Sequence, residues 1–300
     1  KSGNAKQIWK EIEEVLKVRN VSYQAFVSEY RGHAGKLAAE ICAMDDNDIC
    51  LVAVGGDGTA NEVINGITDF EKVRFGVIPT GSGNDLARGL SLSKDPKNGA
   101  IHILNAMKKS REDTWCMDLG EVNFGEKKRL FAISAGIGLD ALVCKKALKS
   151  TIKDILNKIR LGKLTYLVLT VQSLFTMQTA DAEIFFDREE GLQKKRMIFT
   201  AAMNFKAEGG GVPMAPAASA CDGKLSFCEA AGIPKWRTFL CLPFLVAAKH
   251  TSIHGFSVTD AKDCTIRLSR PMVVHADGEY CGEVTEVHFH CLPGKLRVLK

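Results

Sequence analysis

The chain has 300 residues, 46% of them hydrophobic, and carries 40 basic and 35 acidic side chains. This length calls for one large or two ordinary domains, and the apolar fraction excludes a disordered chain. The net charge of +5 is too small to indicate nucleic-acid binding, so no nucleic-acid partner is expected.

The cysteines and the apolar stretches indicate the compartment. No C-x-x-C pair occurs, and several cysteines lie inside apolar runs, as the reduced thiols of a cytoplasmic protein do. The longest apolar stretches, 164–177 and 236–248, are shorter than the ~20 residues of a membrane-spanning helix. We therefore expect a protein that is soluble or lies on a membrane without crossing it.

Residues 1–114 alternate between helical and strand-like patterns, which predicts a doubly wound α/β domain whose parallel sheet has helices on both faces. The opening "KSGN" is typical of a strand-to-helix turn, so a first strand is expected just upstream and absent from this sequence. In chain order the pattern predicts helix 4–19, strand 21–27, helix 33–44, strand 49–54, a helix, strand 73–78, a further helix and helix 98–109.

From residue 115 onward, short strand-like runs separated by turns dominate, which is typical of an antiparallel sandwich or barrel. Helical inserts are expected near 141–177 and 235–249. The second domain is predicted to cover 115–292, and residues 293–300 are a candidate to complete the first. The predicted strands are 115–122, 128–135, 182–186, 195–203, 224–230, 264–269, 272–276, 285–291 and 295–299.

The stretch "LVAVGGDGTANEVINGI", residues 51–67, places Gly55 and Gly56 between a buried strand and a helix. Thr59 with Glu62 fits a capping box for that helix. At the carboxyl end of a parallel strand, such glycines let phosphate oxygens approach backbone N–H groups, and the helix dipole favours anions. Asp57 beside a phosphate requires a cation between them, and Mg²⁺ would supply it.

The stretch "VIPTGSGNDLARGL", residues 77–90, repeats this pattern: a strand ends, small residues follow, and Asn84 and Asp85 enter a helix. Either turn alone is equally typical of a tight turn with a helix cap. Together, the two acidic turns predict one site for a nucleotide polyphosphate and its metal. Arg88 is expected to pair locally, although a role in the same site is left open.

Two other nucleotide motifs fit less well. Each Gly-Lys pair is followed by Leu, so the G-K-[ST] of a P-loop is absent. "GIGLDA", residues 136–141, fits the G-x-G-x-x-A of a dinucleotide site, but a basic helix rather than a βαβ unit is expected after it.

The chain resembles the diacylglycerol kinase catalytic family, which includes bacterial soluble lipid kinases and, more distantly, sphingosine and ceramide kinases. The resemblance rests on "GGDGTANEVINGI" and "PTGSGNDLARGL", followed in order by "MDLGEV", "AGIGLDA", "GGGVPMAPAASACDGKLSF" and "HADGEY". The initial "KSG" is similar to the tail of the family's N-P-x-S-G turn. These ordered blocks cover nearly the whole chain, which makes them far more specific than any one motif.

The resemblance implies a first domain similar to those of NAD kinase and phosphofructokinase, a second that is a β-sandwich, and ATP in the cleft between them. It also implies a water-linked Mg²⁺ network of Asp57, Asp85 and Asp118. The nucleotide contacts that it implies are Ser2, Gly55, Gly56, Asp57, Gly58, Thr59, Glu62, Gly81, Ser82, Asn84 and Asp85.

In "HADGEY" the resemblance implies that Asp277 is the general base and Glu279 its neighbour. The residues alone are typical of a hairpin turn, because Asp-Gly is a common turn pair. Phosphoryl transfer nevertheless needs a carboxylate that accepts the hydroxyl proton. The chain departs from many bacterial relatives at Cys221, which stands where they have an acid, so a second, structural metal site at Asp222 is poorly supported.

These observations predict an ATP-dependent lipid kinase that converts diacylglycerol to phosphatidic acid. Alternatives are a sphingoid base, ceramide or a soluble acceptor as substrate, or a nucleotide-binding regulator without turnover. Residues 145–163 form a basic amphipathic pattern, which predicts a helix on an anionic membrane or one packed on the second domain with a solvated rim. We expect peripheral association of a cytoplasmic protein with the membrane, and a homodimer is left open.

Overall fold

The computed structural model describes residues 2–44, 46–149, 162–187 and 190–300. The chain divides into two units. Unit 1 comprises Lys1–Met117 and Gly294–Lys300, and unit 2 comprises Asp118–Pro293. None of the helices in the described ranges combines the length and the hydrophobicity that a membrane span requires.

Unit 1 is built on a parallel sheet. Strands β1 (Ile49–Gly55) and β2 (Val73–Pro79) pair in parallel along their whole length, and Arg297 and Val298 at the end of the last strand of the chain pair in parallel with β2. The helices of this unit are α1 (Ser2–Val18), α2 (His33–Cys42), α3 (Asp57–Gly66), α4 (Asp85–Gly89) and α5 (Pro96–Ala106).

Both faces of this sheet are covered, as the alternating pattern predicts. On one face, Cys50 and Val52 of β1 pack against Ile12 of α1 and Ile103 of α5. Leu51 points to the opposite face because strand side chains alternate, and it is buried too. Helix α3 packs against the same strand and buries an apolar stripe of its own. The doubly wound arrangement is therefore confirmed.

Residues 21–27 do not form the predicted strand. They have no regular secondary structure, and nearly all are exposed. A strand is stable only where a neighbour satisfies its backbone hydrogen bonds, and no strand in the described part of the chain pairs with them. The alternation of their side chains was therefore not enough to predict a strand.

The predicted capping box at the start of α3 is also wrong. The helix begins at Asp57, and its N-cap is Gly56, which has no side chain to accept a hydrogen bond. Thr59 lies inside the helix, and Glu62 Oε1 instead accepts a hydrogen bond from the Gly32 N–H at 2.8 Å. Glycine is tolerated at an N-cap, which lets the helix begin nearer the strand.

Eight pairs of neighbouring strands in the described part of unit 2 are antiparallel. Its helices are α6 (Leu139–Lys149), α7 (Gly162–Thr176) and α8 (Lys235–Val246), in the predicted inserts. Its strands, of which the first begins in unit 1 and the last ends there, are β3 (Trp115–Phe124), β4 (Lys127–Phe131), β5 (Ser134–Gly138), β6 (Ala180–Phe186), β7 (Leu192–Met197), β8 (Phe199–Met203), β9 (Leu225–Ala230), β10 (Phe256–Ala261), β11 (Asp263–Ala276) and β12 (Glu279–Val298).

The long strand β11 joins two sets of strands. Its residues Cys264–Leu268 pair with β6, whereas Val274–Ala276 pair with β5, and its register against β12 shifts between Arg267 and Met272. The set β5-β8-β9-β10 continues from one end, and β6-β7 from the other. Large side chains such as Phe227 and Phe289 fill the core of this β-sandwich.

Candidate active site

The two glycine turns of unit 1 lie against each other. A Cβ placed on Gly81 would be only 2.8 Å from the Cα of Gly56, so the two backbones meet where neither residue has a side chain. The Thr80 N–H donates to the Gly55 carbonyl at 2.8 Å and fixes the same contact. The structure thus brings together the two turns that the sequence placed in one site.

Asp57 links the first turn to the second. Its Oδ1 accepts a hydrogen bond from the N–H of Leu86, in the first turn of α4, at 3.1 Å. A Cβ on Gly83 would lie 2.9 Å from Asp57 Oδ2 and 3.8 Å from Asp85 Oδ2, so both carboxylates border the space above this glycine. Their oxygens are hard donors of the kind that Mg²⁺ takes, directly or through water.

Asn84 shapes the second turn. Its backbone is left-handed, with φ 54°, a conformation that asparagine tolerates better than most residues. Its Oδ1 accepts from the Gly81 N–H at 3.0 Å, and its Nδ2 donates to the Gly81 carbonyl at 2.9 Å. Gly81 and Ser82 are left exposed at the tip.

Arg88 forms the local pair that the sequence predicts. Its Nη1 forms an ion pair with Asp85 Oδ1, and its Nη2 donates to the Gly83 carbonyl at 2.9 Å. The guanidinium therefore offsets the charge of Asp85, so a cation at Asp85 has to compete with Arg88 or bind through water.

The geometry of unit 1 fits a polyphosphate and a divalent cation. Gly58 and Thr59 lie in the first turn of α3, whose orphan N–H groups and positive dipole end favour an anion. The neighbouring carboxylates suit the metal. Of the other predicted contacts, Glu62 is engaged with Gly32, and the side chain of Ser2 lies outside the described part of the structure.

In unit 2, Asp277 lies in a nest of backbone amides. Its Oδ1 accepts from Ile133 N at 2.8 Å and Ser134 N at 3.1 Å, and its Oδ2 accepts from Ala132 N at 2.8 Å. Its own N–H donates to the Ser134 carbonyl at 2.8 Å, and its φ is 47°. The three donors stabilise the ionised carboxylate and fix its direction. Glu279 follows at the start of β12.

The two remaining predicted metal ligands, also in unit 2, hold a turn. The buried Asp118 accepts from Gly223 N at 2.7 Å, and the exposed Asp222 accepts from Lys224 N at 3.1 Å. Cys221 is exposed beside them. Both carboxylates therefore have a structural function, and their metal roles stay predictions.

Sequence reasoning missed a partly buried cluster in unit 2. Ligand atoms of Asp140, Glu208 and His275 all lie within 4.8 Å of one another. His275 Nε2 lies 3.1 Å from Asp140 Oδ2, and Glu208 Oε2 accepts from the Ser134 hydroxyl. Asp140 and His275 lie in two of the quoted blocks, "AGIGLDA" and "HADGEY", which is the signal that could have found them.

The protonation of His275 argues against a metal in this cluster. Its Nδ1 accepts from the Gly278 N–H at 3.2 Å, so in the neutral ring the proton is on Nε2, which donates to Asp140. A ligating Nε2 would have to be unprotonated, with Nδ1 as a donor. The His275–Asp140 pair is instead suited to hold the turn that contains Asp277.

The block "GIGLDA" does not form a dinucleotide turn. It runs from β5 into α6, but β5 pairs antiparallel with β8 and β11, so no βαβ unit exists here. A Cβ on Gly136 would lie 1.9 Å from Asp140 Oδ2, so this glycine makes room for the carboxylate.

Comparisons with known proteins agree with this geometry. Residues 1–117 match the family model described as "Diacylglycerol kinase catalytic domain", and residues 134–300 match the "YegS C-terminal NAD kinase beta sandwich-like domain". The second match alone covers more than half of the chain.

Individual proteins show the same similarity. The chain is 30% identical to the Bacillus subtilis protein named "Putative lipid kinase YtlR", over 98% of this chain and 94% of that one. It is 28% identical to the Bacillus subtilis "Diacylglycerol kinase", over 82% and 75% of the two chains. A crystal structure of "a putative diacylglycerol kinase from Bacillus anthracis str. Sterne" superposes with a TM-score of 0.76 at 21% identity, covering 98% and 92%, which shows the same fold.

The His275 pair predicts a pH dependence of stability. Burial lowers the pKa of His275, but the hydrogen bond to Asp140 and the charges of Asp140, Glu208 and Asp277 outweigh it, so the pKa is raised above 6.5. A raised pKa stabilises the fold below the unfolded pKa of 6.5, and this stabilisation is lost as the pH rises through the folded pKa. The contribution of His275 to the free energy of unfolding should therefore fall as the pH rises above about 6.5.

The contribution is measured by urea unfolding at a series of pH values below and above 6.5. It is the difference in the free energy of unfolding between the wild type and His275→Gln. His254→Gln, at an exposed histidine of the same unit, is the control and should show no such difference. A difference between wild type and His275→Gln that does not change with pH would contradict the assignment.

Proposed function

Because this chain belongs to the diacylglycerol kinase catalytic-domain family, we propose that it is an ATP-dependent kinase that phosphorylates the hydroxyl of a lipid. Diacylglycerol is the preferred acceptor and phosphatidic acid the product. The relative named diacylglycerol kinase supports this choice. The observation that carries the proposal is the hydrogen bond from Leu86 N–H to Asp57, which holds two acidic glycine turns in one place.

Nucleotide binding is assigned to unit 1. The glycines at 55, 56 and 81 keep side chains away from the phosphates, and the N-terminus of α3 supplies N–H donors. Asp57 and Asp85 would hold Mg²⁺, which supplies electrostatic stabilisation of the charge on the phosphate oxygens. A cation held there would compete with Arg88 for the Asp85 carboxylate.

Proton transfer is assigned to Asp277. Its carboxylate takes the proton of the acceptor hydroxyl as that oxygen bonds to the γ-phosphorus, and the bond to the bridging oxygen of ADP breaks. The amides of residues 132–134 hold the carboxylate in one orientation, which suits a base that must meet the hydroxyl at hydrogen-bond distance. Glu279 is its acidic neighbour. A lipid acceptor also implies that the enzyme acts at a membrane surface, as a peripheral protein.

The function is tested by offering labelled ATP with diacylglycerol, ceramide, a sphingoid base or a soluble alcohol, with the lipids in mixed micelles. We expect phosphatidic acid, identified by mass, as the principal product. ATP binding without phosphorylation of any acceptor would contradict catalysis and favour a regulator. Phosphorylation of the soluble acceptor alone would contradict the lipid assignment.

The base is tested with Asp277→Asn. Turnover should fall by ~10²–10⁴, the usual contribution of a positioned base. The amide nitrogen of Asn must also face a backbone N–H, so the free energy of unfolding should fall by about 1–3 kcal/mol.

Asp187→Asn is a matched control for that loss of stability. Asp187 has a φ of 45° and accepts three hydrogen bonds from Lys262 N and Asp263 N, in the same unit. It should be destabilised like Asp277→Asn yet keep wild-type turnover at a temperature where both are folded. Equal turnover of the two variants would remove Asp277 from the chemistry.

A further inference from the structure

Helix α8 carries an apolar surface that the core of unit 2 does not use. Its residues Thr238, Cys241 and Leu245 are buried at helical spacing, which defines the inward face. The outward face is also apolar. Five large side chains there are exposed: Trp236, Phe239, Leu240, Phe244 and Val246. We call these five residues the α8 apolar face.

The neighbouring helix α7 extends this surface. The exposed ring of Phe175 lies 6.1 Å from the ring of Phe239, measured between centroids. Lys235 Nζ donates to the carbonyl of Met177, just after α7, and lies 3.4 Å from the carbonyl of Phe175. These bonds fix the start of α8 to the end of α7, so the aromatic side chains of both helices form one patch.

The charged residues of the segment that carries the α8 apolar face are of one sign. Residues 235–250 include Lys235, Arg237 and Lys249 but neither Asp nor Glu. Arg237 and Lys249 are exposed. A helix that is apolar on its outward face and has cations at its margin is the pattern of segments that lie in the interface of an anionic membrane. Trp236 suits the headgroup level, where tryptophan is enriched.

We propose that the α8 apolar face docks on an anionic lipid bilayer, with Trp236 and Leu240 inserted and Arg237 at the headgroups. This deepens the proposed function and rests on it for the need to reach a lipid hydroxyl. The predicted basic helix 145–163 does not supply this surface in the described residues: Lys145 is ion-paired with Glu283, Lys146 donates to Thr176, and 150–161 lie outside the described ranges.

A bilayer fits this face better than a second copy of the chain. A two-fold interface would set the same patch against itself, and the cations of both copies would then be brought together. Anionic headgroups complement those cations instead, and the acyl region takes the aromatic and aliphatic side chains.

The test is sedimentation with phosphatidylcholine vesicles that contain about one third phosphatidylglycerol, without ATP or acceptor. Trp236 and Leu240 are 61% and 57% exposed, so Trp236→Gln with Leu240→Gln should leave the fold intact. Vesicle affinity should fall by about 10-fold or more, because two inserted side chains are lost. Arg237→Glu should weaken binding to these vesicles but not to phosphatidylcholine alone.

The matched controls replace exposed apolar side chains, or reverse an exposed positive charge, at positions outside the α8 apolar face. Val18→Gln with Leu192→Gln replaces apolar side chains that are 79% and 50% exposed, and Lys10→Glu reverses another exposed charge. Both controls should bind vesicles like the wild type. Wild-type binding by the Trp236/Leu240 variant, or no binding by the wild type, would overturn the proposal. So would light scattering that shows a dimer abolished by that variant, since the occupant would then be a second copy.

Failure of the docking proposal and failure of the proposed kinase function give different results. If docking is correct, the Trp236/Leu240 variant loses phosphorylation of vesicle-borne diacylglycerol but keeps that of a short-chain, water-dispersed acceptor. Vesicle binding by a wild type that phosphorylates no acceptor would support docking while overturning the kinase function.

Discussion

The close contact between two glycine turns is the constraint on which the candidate nucleotide site depends. Gly56 and Gly81 meet backbone to backbone, and a side chain on Gly81 would separate them. Asp57 then spans the contact by accepting from the Leu86 N–H, which joins the starts of α3 and α4. The same carboxylate is one of the two that border the space above Gly83. The two turns and the acidic pair therefore form one structural unit.

Carboxylates held by backbone amides recur in unit 2. Asp277 holds the turn between β4 and β5, and Asp118 holds the turn at Gly223. Next to Asp277, His275 Nδ1 accepts from the Gly278 N–H in the turn between β11 and β12, and His275 Nε2 pairs with the partly buried Asp140. Asp277, the proposed base, is thus held in place both by the hydrogen bonds to its carboxylate and by those of the backbone around it. Loss of stability must therefore be separated from loss of chemistry when Asp277 is changed.

Much of the fold could be predicted from the sequence because strong periodicity and glycine turns mark it. The buried strands 49–54 and 73–78, their helices and the change to antiparallel strands are all present. Residues 21–27 were misassigned because alternation says nothing about a pairing partner. Strand β10 was missed because only its two end residues are buried. The runs 264–269 and 272–276 are one bent strand, which a local pattern cannot distinguish from two.

The candidate site was predictable in outline through its motifs, but its bonding was not. The donor that faces Asp57 and the cluster around His275 depend on contacts distant in sequence, whereas the pairing of Arg88 with Asp85 is local and was predicted. The central claim is that the paired turns bind Mg·ATP, and titration calorimetry with Asp57→Asn tests it most directly. The Asn side chain keeps an oxygen for the Leu86 N–H but loses the charge. Asp69→Asn, at a carboxylate that accepts from Glu71 N in the same unit, is the control. The account predicts that Asp57→Asn binds Mg·ATP about 10-fold or more weakly, while Asp69→Asn binds like the wild type. Equal affinity of Asp57→Asn and wild type, or no binding by the wild type, would contradict it.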